Sequence, residues 1–173
     1  MTRPPAPDIP SAADEATTLD AYLDFYRAEF LDRAWGLDRE QLTTTLPPST
    51  LSLARLIGHM TLVELDWFAV RFDGGPEPEP FASLDWDADP DAEMTRAETL
   101  PTEELFAEFR EACEDSRRRV TAAESLDQLS VHTDPSGNAR NLRWIVVHMI
   151  EEYARHCGHA DLIRESIDGD LAH

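Results

Sequence analysis

The chain has 173 residues and a formal net charge of −20 at pH 7, from 35 Asp and Glu against 15 basic residues, all of them Arg. That length fits one domain able to bury about 68–70% of its unfolded surface. Two cysteines exclude a disulfide scaffold, a polyanionic surface disfavours nucleic acid and anionic membrane as partners, and no apolar run reaches the 18 or so residues of a spanning helix. The expectation is a cytoplasmic protein of a reducing compartment.

Residues 1–16, MTRPPAPDIPSAADEA, are proline-rich and polar and read as a flexible tail, with the domain at 17–173. A first helix is predicted from Thr18 to Trp35, with Leu19, Tyr22, Leu23, Tyr26, Phe30 and Leu31 at core spacing. After LPPST, where Ser49 or Thr50 can cap, a second runs to Arg71, with Leu53, Leu56, Met60, Val63 and Trp67 as its apolar stripe. The stretch from Asp73 to Thr99 is rich in Pro, Gly and acid and reads as a long irregular connection. A third helix begins near Pro101 and turns Leu105, Phe106, Phe109, Ala112, Cys113 and Val120 inward. HTDPSGNARN reads as a loop, and a fourth helix follows from Asn141 to Ile167, with Gly169 as its stop signal. No segment alternates like a strand. The predicted class is therefore all-α, a four-helix bundle with a long loop between the second and third helices.

The fourth helix carries the chemistry. His148, Glu152, His156 and His159 follow one another at spacings of four, four and three, which places them within roughly 80° of arc on a helix. Glu152 and His156 interrupt the apolar stripe itself, whereas His148 and His159 lie at its edge. A carboxylate inside an apolar face costs several kcal/mol unless a cation or strong donors compensate it. On the second helix His59 sits at the rim of the core face. If these helices meet, His59, Glu152 and His156 form three ligands with one coordination position open, the pattern of a catalytic site. The same residues also describe an i, i+4 ion pair and an ordinary edge histidine, and spacing alone does not choose. His148 and His159 read as supporting or surface groups, His132 and His173 as solvated. Glu64 is either an exposed charge or a carboxylate that orients a ligand histidine. Trp35, Trp67 and Trp144 read as core.

LARLIGHMTLVELDWF, followed by LRWIVVHMIEEYARHCGHADLIRE, resembles the DinB-like superfamily, whose YfiT-like members are four-helix-bundle metalloenzymes with a second-helix histidine and HxxxH on the fourth helix. This chain has ExxxH, from Glu152 to His156. That departure is similar to the metal-binding domain of mycothiol-dependent maleylpyruvate isomerases, whose His, Glu, His zinc set corresponds to His59, Glu152 and His156. The resemblance implies a divalent metal, zinc first, with nickel, iron or manganese suited to the same ligands. It also implies a low-molecular-weight thiol such as mycothiol, used in a transferase or isomerase reaction on a small electrophile, and a homodimer. Two alternatives stay open: a hydrolase with metal-activated water, in which His148 or Glu64 moves protons, and a non-catalytic metalloprotein or interaction module.

Overall fold

A computed structural model describes residues 6–170 of the chain. The tail reading falls partly, and the reading of His173 wholly, outside the described residues. Helix α1 spans Glu15–Asp32 and opens where the Asp14 carboxylate accepts from the Thr17 amide at 3.0 Å. It thus begins inside the stretch expected as tail. A single turn, α2 (Arg39–Leu42), is held by a capping box between Asp38 and Gln41. Helix α3 (Leu53–Glu64) is capped by the Ser52 hydroxyl and runs directly into a wider π-helical segment, Leu65–Phe72. The expected long connection contains a 3₁₀ turn at Phe81–Ser83 and a short helix α4 (Ala92–Ala97). Helix α5 spans Thr102–Ala122 and α6 spans Leu142–Asp168. Gly169 ends α6 at φ 76°, a left-handed stop that only glycine adopts without penalty.

The expected all-α class holds broadly, with one added element. The loop around His132 is an antiparallel hairpin of β1 (Leu129–Thr133) and β2 (Ala139–Asn141), so the fold is mostly helical with a small two-stranded sheet. Its strands are too short to alternate visibly, and it is made by its turn. The Asp134 carboxylate accepts from the amides of Ser136 and Asn138, both at 2.9 Å, and Gly137 supplies φ 84°. The hairpin packs against the end of the π-helical segment, where an ideal Cβ on Gly74 would lie 2.6 Å from Val131.

Helix α1 packs on α6, and α3 packs on both α5 and α6. The apolar stripes read from the sequence form one core that includes Leu23, Phe30, Leu56, Met60, Phe109, Ile145, Met149 and Tyr153. Tyr22 and Trp144, expected inside, are 41% and 42% exposed. No helix among the described residues is long and apolar enough to cross a membrane.

The core also holds a charge pair. Arg27 of α1 is 4% exposed and Glu64 of α3 is 0% exposed. The guanidinium donates through Nε and Nη2 to the two oxygens of Glu64, each at 2.7 Å. The Tyr153 hydroxyl of α6 donates to Oε1 at 2.6 Å, and the Cys113 thiol of α5 lies 3.8 Å from the same oxygen. Glu64 is therefore neither exposed nor an orienting partner for a histidine; its oxygens belong to Arg27 and Tyr153. Coulomb attraction to Glu64 outweighs burial and raises the Arg27 pKa well above its ordinary value, while burial raises that of Tyr153. Glu64→Leu leaves the buried Arg27 with only the partly exposed Asp24 carboxylate, 2.9 Å from Nη1, as a charged partner, and should lose about 3 kcal/mol in urea denaturation. Arg27→Met combined with Glu64→Leu should recover most of that loss, leaving chiefly the unmatched Tyr153 hydroxyl at about 1–3 kcal/mol.

Candidate functional site

The polar row on α6 exists because one helical face must serve two neighbours. Ile145, Met149, Tyr153 and Ala160 turn into the core, and Glu152 and His156 stand beside them toward α3. His156 is 9% exposed, and the Glu152 side chain retains 15%. The rings of His59 and His156 meet edge to face with centroids 5.2 Å apart. Glu152 Oε2 lies 3.5 Å from His156 Nε2, and its Oε1 lies 3.7 Å from His148 Nε2 and 3.6 Å from Arg155 Nη1. Its neighbours are basic, and all stand at or beyond the limit of a hydrogen bond.

The other two α6 histidines flank this centre. His159 Nδ1 is 3.3 Å from His156 Nδ1, so one ring donates to the other. His148 stacks on Trp144 at 5.1 Å and 16°, and meets Trp67 edge to face at 4.6 Å. Arg71 lies over Trp67 and Arg140 over Trp144, at 4.9 and 4.8 Å. Trp144 is thus a half-exposed wall beside the row and not a core residue.

Burial, together with repulsion from His59, His159 and Arg155, lowers the His156 pKa to about 4, which keeps its imidazole neutral and its lone pair available at neutral pH. Two imidazoles and one carboxylate suit a borderline divalent cation. Rings that share a tetrahedral ion through nitrogens at 2.0–2.1 Å have centres about 5 Å apart, and the observed ring contact agrees with that spacing. The donor types and the ring spacing therefore fit such an ion. Among the described residues, however, no three His, Cys, Asp or Glu side chains already stand together as an ion-holding group, so binding requires side-chain rotation around the preformed ring pair.

A residue absent from the sequence reading completes the cluster. Glu93 of α4 is 6% exposed, and its Oε1 lies 3.1 Å from His59 Nδ1. The acidic, proline-rich stretch around it masked a helix of six residues, too short to show a period. A cleft of about 530 Å³ lies elsewhere, between the π-helical segment, α5 and residues 75–81; it is lined by Leu65, Ala69, Phe81 and Arg118 and shares no residue with the histidine cluster.

A family model described as Mycothiol-S-transferase matches residues 18–169. No curated protein matches the chain.

The chain's own thiols lie apart from this chemistry. Cys113 and Cys157 are free and buried at 3% and 7% exposure. Burial pushes the Cys157 thiol up to about 12 and raises that of Cys113 further, so neither is a thiolate at neutral pH. Iodoacetamide should label neither cysteine in the native protein at pH 8 and both in urea, as counted by intact mass; rapid native labelling of either would contradict this burial.

Proposed function

The chain belongs to the mycothiol-S-transferase family, and from that premise we propose that it transfers the thiol of mycothiol, or of a similar low-molecular-weight thiol, to a small electrophile at the His59, Glu152 and His156 cluster. The observation that carries this reading is the contact of two imidazoles from different helices beside a largely buried carboxylate. Such a set has little structural use by itself, because burying Glu152 and His156 costs energy that an apolar pair would not.

His59, Glu152 and His156 would hold a divalent metal, with zinc the best match to mixed imidazole and carboxylate donors. When bound, the metal would lower the pKa of a coordinating thiol and so make a nucleophile available at neutral pH. The protein's own groups do the rest. His156 presents a neutral ring. Glu152 contributes negative charge that offsets the cation. His148, packed against Trp67 and Trp144 and 3.7 Å from Glu152, would be the group that receives the thiol proton. Carbon–sulfur bond formation then releases the leaving group of the electrophile, or leaves an adduct when the electrophile has none. The thiol must come from a small molecule, since both cysteines of the chain are buried and protonated. The hydrolytic alternative is weakened, because Glu64, one of its two proton carriers, is locked to Arg27. We read α1, α3, α5 and α6 as the four-helix bundle expected of the superfamily, with the site between α3 and α6.

Purified protein should carry about one equivalent of divalent metal by elemental analysis, and His59→Ala and His156→Ala should each weaken binding by about 100-fold or more, beyond the 10–100-fold typical of supporting residues. The same variants should abolish metal-dependent conjugation of mycothiol to monobromobimane. Stoichiometric metal in both variants would reject the site; metal without conjugation would favour the non-catalytic alternative.

A further inference from the structure

Beyond the three proposed ligands, the structure assigns Glu93 a role: we infer that it is a positioning residue that fixes the tautomer and ring orientation of His59. This inference rests on the proposed metal site for its purpose, and on geometry alone for its mechanism. A carboxylate without a proton only accepts hydrogen bonds, so in that form Glu93 Oε1, 3.1 Å from His59 Nδ1, pairs with the tautomer that carries its proton on Nδ1. The Nε2 lone pair is then free for a ligand or an acid. A carboxylate behind a ligating imidazole raises its basicity and holds the ring in one plane.

Two features show that the contact is built into the fold. The first is the seat of α4. Gly58, the residue before His59, lies against α4 so closely that an ideal Cβ would stand 2.4 Å from the Ala97 Cβ and 2.9 Å from the Glu93 carbonyl oxygen. Only glycine permits this approach. Arg55, one turn earlier, reaches Asp91 at 3.6 Å and Glu98 at 3.2 Å, which secures both ends of α4 on α3. The second feature is Glu93 Oε2, which is buried with no hydrogen-bond partner. A carboxylate with one oxygen bare in the interior is costly. The cost falls when positive charge arrives on the ring that its other oxygen holds, so the bare oxygen points to a cation at His59.

Two readouts test this, one without metal. In metal-free protein at mildly alkaline pH, multiple-bond proton–nitrogen NMR should show His59 protonated on Nδ1. Glu93→Leu should lose that preference and bind zinc about 10–100-fold more weakly by chelator competition. Glu93→Gln retains an acceptor of the same reach, and should keep the tautomer and restore most of the affinity. A wild-type His59 protonated on Nε2, or a Glu93→Leu protein with wild-type tautomer and zinc affinity, would overturn the assignment. If the wild type shows the Nδ1 proton, and Glu93→Leu loses it, but neither binds zinc, the positioning role stands and the metal reading fails. Should Glu93→Leu not fold, wild type and Glu93→Gln decide: an Nδ1 proton in both supports the role, and an Nε2 proton in the wild type refutes it.

Discussion

The buried pairing of Arg27 with Glu64 constrains the rest of the structure. A charge pair of this kind tolerates little displacement, because each partner would be left uncompensated in the interior. Its hydrogen bonds engage α1, α3 and α6 directly, and the Cys113 thiol brings α5 against the same carboxylate. The rotation of α3 is thereby set. Glu64 and His59 are five positions apart, about 140° around the helix. With Glu64 pinned among Arg27 of α1, Cys113 of α5 and Tyr153 of α6, His59 faces a different direction, toward α4 and another stretch of α6. On α6, Tyr153 and His156 are three positions apart, about 60° around the helix. A helix turned to give Tyr153 to Glu64 therefore brings His156 toward α3 beside His59.

Two polar clusters thus share one pair of helices and are used differently. The Arg27, Glu64 and Tyr153 cluster is closed: both carboxylate oxygens are matched by short hydrogen bonds. The His59, Glu93, Glu152 and His156 cluster is open. Glu93 Oε2 has no partner, and the basic neighbours of Glu152 stand at 3.5–3.7 Å. A matched cluster orders a core, whereas an incompletely matched one retains capacity for a ligand. Around the two glutamates of that cluster stand imidazole, indole and two arginines, so basic and aromatic groups surround the acid within the site.

Much of this was legible from residue order, because burial on one side of a long helix imposes a period that any reader can find. Helices α1, α3, α5 and α6 lie where their apolar stripes predicted, and the ExxxH pair of Glu152 and His156 interrupts its stripe as the angular positions required. Short or irregular elements were not legible. The hairpin at Leu129–Asn141 is defined by one aspartate-anchored turn, α4 is a single turn and a half, and the change to π-helical winding after Glu64 leaves the apolar pattern nearly unaltered. Trp144 was misplaced because an aromatic at the edge of a stripe packs equally well on core or on a neighbouring ring.

The sequence by itself determined which residue types lie on which face of each long helix, and hence that two histidines and a glutamate were available to one interior. Only the tertiary structure decided that His59 touches His156, that Glu64 belongs to Arg27, and that Glu93 stands behind His59. Helical periodicity is a local property, written every three or four residues. The meeting of side chains from different helices depends on how those helices rotate and approach, and that is set by closely matched contacts such as a buried ion pair and a glycine with no room for a methyl group.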